Sequence, residues 1–156
     1  DAIPLDQGVT VEFEFRMAVN RNVHQNVSLC LRDTDPKGFD GEAMQYLGTG
    51  EATCFQYPSR EFEKMDLSDV SLRVSPGVET RVRIPGALPS ADWIHAAVQV
   101  RPDGEISLVV DRERVATSPI LISTIPKYQW TVTIDGDAVG TELLVRNVNI
   151  WREIRY

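Results

Sequence analysis

From Trp93 to Val115 the chain alternates apolar and polar positions, breaks the alternation once at Pro102-Asp103-Gly104, and then resumes it. Ile94, Ala96, Val98 and Val100 are offset by one from His95, Ala97 and Gln99, and a period of two marks a strand with one face in a core. Proline presets the backbone early in a turn, and glycine tolerates positive φ after Asp103, so the segment predicts a β-hairpin. Its second strand sets Ile106, Leu108 and Val110 against Ser107, Val109 and Asp111. Two apolar rows then face one core, a pattern that a 3.6-residue period cannot produce.

The same period recurs along the chain. Val9, Val11, Phe13, Phe15, Met17 and Val19 alternate with Thr10, Glu12, Glu14 and Arg16, predicting a long strand closed by the turn residues Asn20-Arg21-Asn22. Val27, Leu29 and Leu31 predict a second strand, with Cys30 on its outer face beside Ser28 and Arg32. Residues 33 to 50 are rich in Asp and Gly and read as surface loop, and Ala52 to Tyr57 resumes as a strand carrying Cys54. Ser59 to Ser75 shows no clean period and reads either as a short helix or as an irregular crossing segment. Val78, Val82 and Ile84, then Trp130, Val132 and Ile134, mark further strands. In the closing strand Leu144, Val148 and Ile150 share one face, interrupted by Arg146, while Asn147, Asn149 and Trp151 share the other. Many short strands with frequent turn signals and no persuasive long helix predict an all-β antiparallel β-sandwich.

At 156 residues the chain fits one domain, spanning 1–156, and can bury roughly 68–70% of its unfolded surface. The absence of any apolar run near the ~20 residues of a membrane helix argues against membrane insertion. Sixteen Lys and Arg against 23 Asp and Glu give a net charge of −7, which repels phosphate backbones and argues against nucleic acid as a partner. The lead Asp1-Ala2-Ile3-Pro4 has neither an initiator Met nor signal-peptide features, so the domain reads as excised from a longer extracytoplasmic protein. Cys30 and Cys54 lie in strands that could pair as neighbours; a disulfide is expected, with two free thiols as the alternative.

The hairpin residues carry a resemblance as well. Trp-x-His-(apolar)-Ala-Val from Trp93, an Asp-Gly turn and Ile-x-Leu-x-Val-Asp from Ile106 are similar to the central hairpin of concanavalin A-like jelly rolls, the group that includes laminin-G-like and pentraxin-like domains. The closing Asn-Val-Asn-Ile-Trp-Arg resembles the terminal strand of the same group. The resemblance covers roughly residues 90 to 151 and implies a jelly roll. Its motifs are core patterns, so it implies little about activity. It also places Trp93 at a packing position and gives His95 beside it a structural role.

Four sets of residues are candidate sites. Glu61-Phe62-Glu63-Lys64-Met65-Asp66 places acids close together, as a glycosidase requires, but laminarinase-type glucanases of the resembling group carry Glu-x-Asp-x-Glu on a regular strand, and this string lacks both the order and the alternation. Glu12 and Glu14 share an outer strand face with Thr10 and Arg16, which reads as an ordinary polar face unless that face is the ligand face. Asp33, Asp35 and Asp40 gather hard oxygen donors in a loop and are candidate Ca2+ ligands, although Lys37 and Met44 stand where an EF-hand would need ligands. Tyr46, Phe55 and Tyr57, beside the variable loop, and Trp151, beside Asn147 and Asn149, are candidate ligand-binding aromatics; Trp130, in phase with Val132 and Ile134, reads as core.

With two histidines and no phosphate loop, neither a catalytic triad nor nucleotide use is expected. The sequence therefore predicts a non-enzymatic, extracytoplasmic, lectin-like module that recognises a glycan or a protein surface. The alternatives are a structural accessory domain with no soluble ligand and a diverged glycoside hydrolase.

Overall fold

A computed structural model describes residues 3–18, 27–35, 49–57, 69–75, 80–89, 92–136 and 142–156. Within them are ten strands: β1 (Val9–Ala18), β2 (Val27–Thr34), β3 (Thr49–Tyr57), β4 (Val70–Ser75), β5 (Thr80–Ile84), β6 (Ile94–Val100), β7 (Ile106–Val110), β8 (Glu113–Thr117), β9 (Gln129–Gly136) and β10 (Glu142–Trp151). They form two five-stranded antiparallel sheets, ordered β10-β1-β6-β7-β8 and β5-β4-β3-β2-β9. The expected all-β sandwich is the architecture found. No helix among the described residues is long and apolar enough to cross a membrane.

Each strand's period decides what enters the space between the sheets. Val9, Val11, Phe13 and Phe15 of β1 are all within 1% of full burial, and opposite them in register stand Val100, Val98, Ala96 and Ile94 of β6. Leu29 and Leu31 of β2, Phe55 of β3, Leu72 of β4 and Trp130 of β9 line the facing sheet. The two sheets meet through aromatic rings. Phe15 lies 5.5 Å from Phe13, Phe55 and Tyr57 alike, and Phe13 meets Phe55 edge-on at 5.7 Å. Truncating such a ring to Ala costs about 3–5 kcal/mol.

The central hairpin turns as its sequence predicts. The Gly104 N–H donates to the Arg101 carbonyl (2.9 Å), and the Glu105 N–H donates to the Asp103 carboxylate (3.0 Å). Gly104 is required for two reasons: its φ is +88°, and a Cβ there would lie 2.0 Å from the Ile122 carbonyl oxygen. That close approach lets the Ile122 N–H donate to the Gly104 carbonyl (3.0 Å), so the hairpin tip holds the connection between β8 and β9. The same connection is gripped from the other sheet by Asp33. This aspartate is 2% exposed, and its two oxygens accept from the backbone N–H groups of Lys127 (2.6 Å) and Tyr128 (2.8 Å).

Three sequence expectations need correction. The last part of the stretch from Ser59 to Ser75 is neither helix nor irregular: Val70–Ser75 is β4, paired on both sides, with Val70, Leu72 and Val74 buried. Its start is fixed by Asp69, which accepts from the Arg83 guanidinium and the Gly86 N–H (3.0 Å). A second hairpin connection at Asp111-Arg112 separates β7 from β8; both residues adopt positive φ (50° and 68°) without the glycine or asparagine that usually signals such a turn. In β10 a bulge shifts the phase. Glu12 pairs with Asn149 and Glu14 with Arg146, so both Asn147 and Val148 oppose Phe13, and Asn147 takes φ +54°. Before the bulge Val145 faces the core side, opposite Phe15; after it Val148 and Ile150 do, so Leu144 does not share their face and Arg146 belongs with Asn149 and Trp151.

Cys30 and Cys54 are directly opposed on β2 and β3, with Cα atoms 4.1 Å apart, and are bridged. They occupy the outer face, as expected of Cys30, and are buried. Closing a loop with a sequence separation of 24 stabilises by about 3 kcal/mol on the chain-entropy estimate. Replacing both cysteines by Ser should therefore lower Tm by roughly 6–12 °C in a thermal melt. An unchanged Tm would show that the bridge constrains nothing that matters to folding.

Candidate binding site

The phase that buries Phe13 and Phe15 turns Glu12 and Glu14 outward on β1, between β10 and β6. The bulge at Asn147 then brings the polar side chains of β10 against them. Glu12 is the hub. One carboxylate oxygen accepts from the Trp151 indole N–H (2.7 Å) and the Asn149 amide (3.5 Å); the other accepts from the Tyr156 hydroxyl (2.7 Å) and lies 3.4 Å from Nε2 of His95. Since the Tyr156 hydroxyl proton is given to Glu12, the His95 Nε2–H is the donor toward both Glu12 and the phenol oxygen (3.2 Å). Nδ1 of His95 is then a bare acceptor, buried and without a partner among the described residues.

Glu14 is engaged through one of its two oxygens. It accepts from Nε of Arg146 (2.6 Å) and from the Asn147 amide (3.0 Å). The Arg146 guanidinium stacks 4.0 Å from the Trp93 ring, with Arg16 5.5 Å from the same ring. Trp93 is therefore on the outer face, half-buried and packed against these arginines.

Residues 152–156 cross this face after β10. Thr10 donates to the Glu153 carbonyl (2.8 Å) and accepts from the Arg155 N–H (3.2 Å), while Arg114 donates to the Tyr156 carbonyl (3.1 Å). The fully buried Gln99, in the amide orientation that satisfies both of its polar atoms, accepts from the Arg155 and Tyr156 N–H groups (3.0 Å each) and donates to the Tyr156 carbonyl (3.2 Å). This crossing explains why Ala97, Gln99 and Ser107 are buried although they point away from the core. It also delivers Tyr156 to Glu12 and stacks the Arg155 guanidinium 4.2 Å from the Trp151 ring.

Together these groups line an open recess of about 410 Å³. Glu12, Glu14 and His95 come from β1 and β6, Asn147 and Asn149 from β10, and Arg112, Arg155 and Tyr156 from the turn and the crossing segment. The volume lies within the ~300–1,000 Å³ typical of small-ligand sites. Asn147 and Asn149 spend their amide N–H groups on the glutamates and on the Asn147 carbonyl. Among the described residues their side-chain oxygens accept nothing.

The electrostatics follow from these contacts. Burial raises the Glu12 carboxyl, but hydrogen bonds from Tyr156, Trp151 and His95 together outweigh it and hold Glu12 below its ordinary value. The Arg146 hydrogen bond and charge, with help from Asn147, hold Glu14 low as well. Burial, and then the Glu12 carboxylate, push the Tyr156 phenol up.

Of the aromatic residues singled out from sequence, Trp151 reaches this site. Phe55 and Tyr57 do not: they are 0% and 6% exposed, and both point between the sheets because β3 is in phase with Leu29 and Leu31 across the ladder. Tyr46 lies outside the described residues, as does the acidic string Glu61–Asp66. Of the candidate calcium ligands, both oxygens of Asp33 are engaged by backbone N–H groups, Asp35 is half-buried and Asp40 lies outside the described residues. No group of three or more potential metal-ligating side chains occurs among the described residues. Glu12, Glu14 and His95, read from sequence as a polar face and a structural histidine, are the centre of the recess.

No protein-family model and no curated protein sequence matches the chain. Solved structures do. Sheep galectin-11 in complex with glycerol superposes with a TM-score of 0.58 at 11% identity, covering 97% of this chain and 95% of that one. The carbohydrate-binding module CBM66 from Bacillus subtilis gives 0.57 at 7% identity, over 92% and 74%. The binding domain of botulinum neurotoxin DC in complex with rat synaptotagmin II gives 0.55 at 8% identity, over 96% of this chain and 33% of that one. This chain thus spans about a third of that toxin domain. At such identities the likeness establishes a fold, the lectin-like jelly roll.

The lowered glutamates and the raised tyrosine make a linked prediction. Glu12 and Glu14 contribute stability that is fully present above their ordinary 4.5 and is lost as pH falls through their folded values. Tyr156 contributes stability that is present below its ordinary 10.0 and is lost as pH rises through its folded value. Carboxyl 13C NMR should give midpoints for both glutamates below 4.5, and Glu12→Gln should flatten the acid limb of the stability curve. A Glu12 midpoint above 4.5 would contradict the hydrogen-bond assignment.

Proposed function

We propose that this chain is a non-catalytic, extracytoplasmic binding module that recognises a glycan through the outer face of β10, β1 and β6. The observation that carries this reading is the recess itself. It offers acceptors on Asn147 and Asn149 and cationic donors on Arg112 and Arg155, with the Trp151 indole holding Glu12 behind them. Sugar hydroxyls need donors and acceptors interspersed at hydrogen-bond spacing, and strands that are locked from below supply them without an ordering cost. The galectin and the carbohydrate-binding module support the reading as structural neighbours.

Two physical arguments favour binding over hydrolysis. A glycosidase needs one carboxyl raised toward neutrality to protonate the leaving oxygen. Glu12 and Glu14 are both held low, Glu12 with both oxygens and Glu14 with one oxygen accepting from protein donors. The buried Cys30–Cys54 bridge supports an oxidising compartment. A protein surface is the second reading, favoured by the toxin domain's complex with synaptotagmin II.

A glycan panel probed with the purified chain, with calcium and again with chelator, tests the proposal. Saturable binding is expected, weakened about tenfold or more by Asn149→Ala, which removes one acceptor and one of the hydrogen bonds to Glu12. Binding should persist in chelator, because Asp33 is already satisfied by Lys127 and Tyr128. Loss in chelator would return attention to Asp35 and Asp40. Silence under both conditions would remove the glycan reading and leave the protein surface.

A further inference from the structure

We infer that the glycan this recess takes is acidic, with its carboxylate or sulfate seated on Arg112. The inference rests on the glycan reading above and adds the ligand's charge to it. It starts from an account of the ionic groups at the recess. Glu14 is neutralised by Arg146, which also covers Trp93. Glu12 is hydrogen-bonded by Trp151, Asn149, Tyr156 and His95 and keeps its charge, and no arginine or lysine among the described residues pairs with it. Arg155 pairs with Glu153 (3.0 Å) and lies over Trp151. Arg112 lines the recess, yet no hydrogen bond or ion pair joins it to any other described residue. A guanidinium that lines the recess with no carboxylate partner among the described residues is complementary to an anion.

The backbone supports the same conclusion. Asp111 and Arg112 form the two-residue link between β7 and β8, and both sit at positive φ. Glycine or asparagine would adopt that conformation at less cost, and non-glycine residues in it cost of the order of what a functional site is known to retain. The link is also fixed in place, because the Asp111 N–H donates to the His95 carbonyl (3.0 Å) at the start of β6. The turn thus holds at the recess a guanidinium that pairs with no other described residue, on a two-residue hairpin link whose backbone glycine or asparagine would adopt at less cost. A guanidinium presents paired N–H groups in one plane, the geometry that a carboxylate or a sulfate accepts. The amide oxygens of Asn147 and Asn149, on the same recess, accept hydroxyls. An anion seat beside hydroxyl acceptors describes a charged sugar ring. The net charge of −7 repels polyanions at long range, so such binding must come from local contacts and not from general adhesion.

The test uses the full chain and titrates it with oligogalacturonate, with its methyl-esterified form, and with sialylated, sulfated and neutral oligosaccharides. Acidic glycans should bind, and the methyl ester or neutral counterpart should bind about tenfold or more weakly. The sulfated and carboxylated arms identify which anion is preferred. Arg112→Gly relaxes the positive φ, so its Tm should be equal to or above that of the parent while acidic-glycan binding is lost. Arg112→Lys should bind with intermediate strength. Equal affinity for neutral and acidic glycans, or acidic binding unaffected by Arg112→Gly, would overturn the inference while leaving the glycan reading intact. Absence of binding to every oligosaccharide would overturn both.

Discussion

The packing of Phe13 and Phe15 against Phe55 and Tyr57 fixes the phase of β1, and the rest of the molecule's surface chemistry depends on that phase. Four rings at about 5.5 Å lock the two sheets together at their centre. A slip of β1 by one residue would bury Glu12 and Glu14 and expose both phenylalanines, a change no compensating contact could offset. The core therefore does more than stabilise. It forces two carboxylates onto the outer face of the sheet's second strand, with a partner strand on either side.

The edge strand β10 completes the arrangement by a local irregularity. In a regular ladder Arg146 and Asn149, three residues apart, would point to opposite faces. The extra residue at Asn147 brings both to the outer face, so that Glu14 meets Arg146 and Glu12 meets Asn149 and Trp151. The segment that follows crosses back over Thr10 and Gln99 and places Tyr156 on Glu12. Residues distant in sequence are thereby held by one carboxylate, and the site is organised before any ligand arrives.

Much of the fold could be read from the sequence because period-two patterning survives wherever a strand has one buried face. Val9 to Phe15 and Ile94 to Val100 show it without ambiguity, and the Cys30–Cys54 pairing followed from placing both cysteines on neighbouring strands. What escaped has physical reasons. The Asp111-Arg112 turn lacks the residues that announce positive φ, so β8 was hidden, and the bulge at Asn147 breaks the very period used to assign faces. Phe55 and Tyr57 border a loop and so read as ligand-facing aromatics, although their alternation with Cys54 and Gln56 marks them as core. For the site, the usable signal was Glu12-x-Glu14 on one strand and Asn147-x-Asn149-x-Trp151 on another. That the two strands are neighbours, and that Tyr156 and Arg112 join them, is a fact of tertiary structure that no local pattern carries.

The central claim is that ligand is read by the outer face of β10, β1 and β6. The indole N–H of Trp151 reports on it most directly, because it donates to Glu12 at the heart of the recess. Titrating the 15N-labelled chain with the tightest-binding oligosaccharide should shift the Trp151 indole resonance and the Asn147 and Asn149 side-chain amides together, with one affinity. Binding that leaves the Trp151 indole unmoved and shifts the outer face of the opposite sheet, around Arg32 and Arg73, would contradict the account.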